Sequence, residues 1–393
     1  MNIEPKWSTL SVAFYVFLAY IGAFSIKMVK QYEQIRGKRL SNVNRWYRIW
    51  GFLWVFFAAF RLININGVGG ADAFAYITYF DNCLNPYYEM YSHYGIVWRY
   101  ICIIIKKIFI DYHLFLFIYH GFLVYSYQKF INEFMPPSRI ASPMILVFFI
   151  FLRGFNTFRT NVSVALILLA IVYLYQKKYL KVIIFLVLSV NIQVASLIYC
   201  AFVPFYYLFK NGRLSLKGFA IISFFVAIAA PFVRDFFINY IGRYLGHAYL
   251  SYAMRSIGHS FFENYWKIAF DQLLLAAAVI IYNKQITNRI KNYDTKYSNK
   301  VYLIWTMCLF DFSMIPVSFT MSIWRAYEYF YIPRLIMWNE IIDIIRIRYK
   351  LKRKNVETIA NIAFIAWLVF RIANTWQDSR YLPYVFTFSS LKR

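Results

Sequence analysis

The sequence predicts an all-α, polytopic integral membrane protein of about twelve transmembrane helices, and three observations carry that prediction. Apolar residues make up 61% of the 393 positions and charged residues only 15%, with a mean hydropathy of +0.49. Such a composition lies far outside the range of soluble domains. Apolar runs long enough for helices recur along the whole chain, and basic residues gather in short blocks between them. A formal net charge of +26 arranged in such blocks suits the inner membrane surface, the lipid bilayer being the partner, and not nucleic acid.

The runs cover residues 8–25, 49–62, 112–128, 142–152, 161–175 and 182–194, then 195–209, 219–233, 268–282, 301–317, 327–345 and 360–372. Between them, 27–48 holds seven Lys or Arg against Glu33, 176–181 holds three, 210–217 three, 284–300 five against Asp294, and 346–354 six. With about twelve crossings in this order every block falls on one side, the cytoplasm, and both termini lie outside. Residues 95–110 would break that parity if they spanned. Arg99, Lys106 and Lys107 recur there on one helical face, so the segment reads as an amphipathic helix on the outer interface. Ala23-Phe24-Ser25 resembles a cleavage site, but no basic segment precedes it and a basic block follows, so the first helix reads as uncleaved.

With 10 Pro and 14 Gly there is no flexible linker, and residues 1–393 read as a single transmembrane domain. Two connections on the outer side are long. Residues 63–98 contain no Lys or Arg but carry Asp72, Asp81, Glu89 and several tyrosines; residues 234–266 carry three Arg, His247, His259 and Glu263. The four cysteines lack paired spacing, and the histidines lack metal-ligand spacing, so no disulfide framework, metal or cofactor is expected. Phosphate-binding, hydrolase and dinucleotide motifs are missing from the sequence.

The orientation leaves Arg61, Arg153, Arg159, Arg234, Arg243, Arg255 and Arg325 at or beside the outer ends of helices. Cations kept where orientation disfavours them suit an anionic ligand. After Arg61 comes a glycine turn, Gly67, Gly69 and Gly70, then a short helix with Asp72, Tyr76 and Tyr79 on one face. A carboxylate beside hydroxylated aromatics fits general-base removal of a proton from a sugar hydroxyl, and the glycine N–H groups could meet an anion. The plainer reading makes Asp72 a helix cap and the tyrosines an interfacial belt. Arg159 starts a helix whose first turn carries Thr160, Asn161 and Ser163, which favours a diphosphate contact, with Arg153 nearer the lipid boundary. Arg325 and Glu328 are spaced to pair on one face, either as a structural salt bridge or beside a glycan path.

Taken in order, these pieces resemble the EpsG-like branch of the Wzy-type polysaccharide polymerases. Arg61 followed by Gly70, Asp72 and Tyr76 is similar to that family's arginine, then glycine-x-Asp-x-x-x-Tyr signature; 159–163, 191–197, 325–331 and 381–386 resemble its later motifs. The chain departs from the pattern at Gln193, where a histidine is usual, and at Thr160, where a glutamine is usual. The resemblance implies an enzyme of the bacterial inner membrane, facing the periplasm or cell exterior. Its substrate would be an undecaprenyl diphosphate-linked oligosaccharide repeat unit, joined into O-antigen, capsule or exopolysaccharide, with a chain-length regulator as protein partner. Asp72 would be the base, and Arg61, Arg153, Arg159, Arg325, Tyr76, Tyr79, Gln193 and Glu328 would bind substrate. Two other readings stay open: a multi-span transferase using a lipid monophosphate sugar, and a glycan flippase, for which Asp271, Asp311 and Asn191 lie within spans.

Overall fold

The computed structural model describes residues 3–36, 41–85, 94–135, 140–211, 261–292, 295–315 and 326–387, with single positions between 218 and 232. Its helices, in chain order, are α1 (Thr9–Arg36), α2 (Ser41–Ala59), α3 (Ala73–Asn82), α4 (Ile96–Ile108), α5 (Tyr112–Phe134), α6 (Val147–Arg153), α7 (Phe158–Tyr175), α8 (Tyr179–Ile192), α9 (Leu197–Cys200), α10 (Phe202–Lys210), α11 (Phe261–Ile281), α12 (Asn283–Asn292), α13 (Thr295–Ser313), α14 (Tyr331–Arg348) and α15 (Arg353–Ser379). Short 3-10 turns at Ser142–Leu146, Val194–Ser196 and Ala326–Glu328 join some of them, and extended pairing among the described residues is confined to one bridge, Arg61 with Phe386. The chain forms two compact units, Met1–Gln193 with Trp338–Arg393, and Val194–Met337.

In the first unit α7 is the central helix. Its sequence is apolar on every side, and such a helix needs neighbours all round; α5 and α8 supply them. Ser163 and Ser189 join α7 to α8 through a 2.6 Å hydroxyl contact, the small-residue, polar contact that holds helices together in lipid. The outward face of α8 shows Leu180, Ile183, Ile184 and Val187, which suits acyl chains.

Three described stretches, Thr9–Gln31, Phe158–Tyr175 and Arg353–Ser379, are by themselves long and apolar enough to cross a membrane, and five further apolar helices are shorter. Helices stand at the expected runs in the described residues, but α13 and α14 carry Asp311, Arg334, Glu340 and Asp343 inside them, which lowers their hydropathy. The expected run 219–233 and most of the connection 234–266 lie outside the described residues.

The two ends of the first unit are held by different contacts. At one end Lys27 pairs with Glu357 at 2.5 Å, Lys30 donates to the Asn132 carbonyl, and Gln176 donates to Glu133. A cleft of about 360 Å³ opens there, lined by residues including Arg48, Gln128, Lys129 and Gln176. At the other end Ile3 and residues 385–387 meet the α2–α3 connection: Asn64 donates to the Ile3 carbonyl, Leu62 N–H to Val385 and Thr387 N–H to Phe60.

The amphipathic segment 95–110 is indeed a helix, α4, and it packs against α3 and α8. Lys106 lies 3.0 Å from Asp81 and covers the Phe80 ring, so this basic residue faces protein. Its exposed stripe is Ile96, Tyr100, Ile104 and Ile108, four residues apart.

Candidate functional site

The site begins where α2 stops. Arg61, two residues beyond Ala59, is 1% exposed, and its guanidinium turns inward. Nε donates to the Gly69 carbonyl at 2.8 Å, Nη2 to the Phe155 carbonyl at 3.3 Å, and Nη1 to the Ala58 carbonyl. Nη1 also lies 2.9 Å from His120 Nε2. Because a guanidinium has no acceptor, His120 accepts through Nε2 and carries its proton on Nδ1. The Arg61 group also covers the Phe155 ring at 4.2 Å. No carboxylate pairs with Arg61 among the described residues. The N–H groups of Arg61 are therefore spent on fixing the loop, and its charge is left without a carboxylate partner among the described residues.

The glycine turn is forced. Gly67, Gly69 and Gly70 have φ of 87°, 86° and 133°, where a side chain is strained. A Cβ on Gly69 would lie 2.1 Å from the Leu62 carbonyl oxygen, and one on Gly70 2.1 Å from that of Phe155. Their N–H groups do not face an anion, contrary to the expectation from the sequence. Gly69 and Gly70 both donate to the Arg380 carbonyl, at 3.0 and 3.2 Å, and Ala71 donates to Ser379 at 3.0 Å. The final carbonyls of a helix lack intrahelical partners, so the turn caps the end of α15 and has no free N–H there for phosphate. Asp72 N–H is taken too, at 2.5 Å from Asn156 Oδ1.

These bonds bring Asp72 to the N-cap of α3, yet its side chain makes no cap hydrogen bond. The carboxyl is half-buried beside the α6–α7 corner that supplies Asn156. Tyr76 and Tyr79 do share a face, but both are 5% exposed and packed into an aromatic column. Tyr119 stacks on Phe158 at 4.6 Å, Phe158 on Tyr76 at 4.8 Å, and Tyr76 on Tyr94 at 5.6 Å. Arg159 caps that column, its guanidinium 4.3 Å from the Tyr94 centroid. Tyr79 meets Tyr94 edge-on and its hydroxyl oxygen accepts from Arg99, while burial pushes the hydroxyl pKa up.

Around α7 a second expectation changes. Thr160, Asn161 and Ser163 are buried and turn into the bundle, Asn161 bonding Tyr127 and Thr157 while Ser163 bonds Ser189. They leave Arg159 and Arg153 as the half-buried cations of this corner, Arg153 donating to Ser379 Oγ at 2.6 Å. Gln193 caps α8 in extended geometry, and the preceding Asn191 and Ile192 form the wall on which Gly95 packs. A Cβ there would sit 1.8 Å from the Asn191 carbonyl oxygen.

The EpsG family matches residues 44–386, most of the chain and every residue just described at this corner. The chain belongs to the EpsG family, a Wzy-like polymerase family. No curated protein and no solved structure matches it significantly.

The expected EpsG site also included Glu328 and Arg325. Glu328 is fully buried in the Ala326–Glu328 turn of the second unit, and Arg325 lies outside the described residues, so their expected pairing lies there as well. Other residues were missed by sequence reasoning. His113 and His120, seven apart on α5, grip the end of α2, His113 Nδ1 meeting the Ala59 carbonyl at 2.8 Å. Spacing of seven on one helix face was the available signal. Asn156, which aligns Asp72, carries no comparable signal.

Proposed function

We propose that this EpsG-family protein is a repeat-unit polymerase working on the extracytoplasmic face of the bacterial inner membrane, and that the glycine-turn end of its first unit faces outward. The lysine-rich opposite end, set by the positive-inside rule against the cytoplasm, supports that orientation. The observation that carries the proposal is the family match across 44–386, which includes the loop built by Arg61.

In this reading the donor is a growing glycan on undecaprenyl diphosphate and the acceptor a hydroxyl of the incoming lipid-linked repeat unit. The hydroxyl oxygen bonds the anomeric carbon as the bond from that carbon to the diphosphate oxygen breaks. Asp72 takes the hydroxyl proton. Arg159 and Arg153 stabilise the charge that grows on the departing diphosphate. Arg61 holds the loop that presents Asp72 and adds its field. The buried Tyr76 and Tyr79 back the wall of the glycan path from within the protein, Gln193 stands at the end of α8 beside it, and a chain-length regulator binds as the protein partner.

Reconstituted protein supplied with a lipid-linked repeat unit tests this. Wild type yields a ladder of long glycans. Asp72→Asn and Arg159→Ala each abolish the ladder while the purified proteins stay folded. Wild-type ladders from both variants, or single-sugar addition by wild type, would overturn the proposal.

A further inference from the structure

The second unit holds a charged cluster that the polymerase reading does not use. Arg334 on α14 is 1% exposed; its Nη1 donates to Asp311 Oδ2 of α13 at 2.5 Å and its Nη2 to the Tyr327 carbonyl at 2.6 Å. Asp271 of α11 approaches Nη2 only to 3.9 Å, and its neighbour Gln272 donates to Asp311 Oδ2 at 3.0 Å. Two carboxylates thus face one guanidinium.

The remaining neighbours among the described residues do not restore the balance. Cys308 lies near Asp311 on α13, the Tyr331 ring lies 5.2 Å from the guanidinium carbon, and α10 meets α13 through Phe202 and Phe205 against Phe310. Among the described residues, Asp271 Oδ1, Asp311 Oδ1 and Arg334 Nε are buried and hydrogen-bond nothing. A lone surplus charge in such a place carries the desolvation penalty of a buried ion, so something positive should occupy the open carboxylate oxygens.

We propose that Asp271 and Asp311 form a binding site for one exchangeable monovalent cation, H⁺ or Na⁺, with Arg334 as the fixed counter-charge. The cation neutralises the second carboxylate; as a proton it bonds one of the open Oδ1 atoms and comes from, and returns to, the aqueous phase. Binding fastens α11 to α13 and α14. The site needs no assumption about glycan chemistry.

The full-length protein in nanodiscs tests this by its apparent Tm at a fixed scan rate, from pH 5 to pH 9, in sodium-free buffer and in NaCl. If the proton is the ligand, raising the pH strips it from the folded protein, so Tm falls by a few degrees towards pH 9. If Na⁺ binds, NaCl restores the loss at high pH. Asp271→Asn leaves the Arg334–Asp311 pair neutral, and its Tm loses that dependence on both pH and Na⁺. Asp311→Asn, the second variant, should lose it too. A wild-type Tm indifferent to both ions, or variants that keep the wild-type response, would overturn the proposal.

Discussion

Arg61 and Arg334 are each 1% exposed, yet they sit in opposite electrostatic settings, one in each unit. Arg61 is held by carbonyl dipoles and a neutral imidazole with no carboxylate, so its corner keeps a net positive charge. Arg334 faces two carboxylates, so its cluster is negative. The contrast teaches that burying a guanidinium does not by itself define a role. What matters is the charge left over, which suits an anion at Arg61 and a cation at Arg334.

Removing each guanidinium separates the two settings most sharply. Arg334→Ala strands Asp311 and Asp271 and should cost about 3–5 kcal/mol, read as a collapse of Tm or of folded yield. Arg334→Ala with Asp311→Asn should recover part of that. A milder loss follows at Gly70→Ala, about 1–3 kcal/mol from backbone strain, because the added Cβ meets the Phe155 carbonyl that Arg61 holds. If Tm is unchanged, the turn is not fixed as described. Arg61→Lys keeps the charge but loses the fork, and should cost about 1–3 kcal/mol from unpaired carbonyls with shortened glycan ladders. A full-length ladder from this variant would show that charge alone matters at that position. Smallest is Arg159→Ala, with about 0.5–1 kcal/mol from its contact with the Tyr94 ring but complete loss of the ladder. That split between stability and activity distinguishes a ligand contact from a structural residue.

The path from sequence to site was uneven in an instructive way. Hydropathy placed the described helices, because lipid permits few alternatives to a hydrogen-bonded helix. A glycine turn after Arg61 was also anticipated, and the structure gives Gly67, Gly69 and Gly70 the positive φ that only such residues adopt without strain. What their N–H groups do was not legible. Their acceptors belong to Ser379 and Arg380, and Arg380 in turn donates to the Asn66 carbonyl from 314 positions away. Likewise the tyrosines of α3 looked like a glycan path, and the column built with Tyr94, Tyr119 and Phe158 buries them.

By itself, the sequence determined that this is a helical membrane protein, that its cations divide into lysine-rich blocks and outlying arginines, and that a glycine turn precedes Asp72. Tertiary structure alone decided which of those arginines points inward, which N–H groups are already taken, and that Asp271 and Asp311 meet around Arg334. The reason is range. Helix formation and hydropathy depend on neighbours in the chain, whereas the balance of charge around a buried group depends on whichever distant segments the fold packs against it.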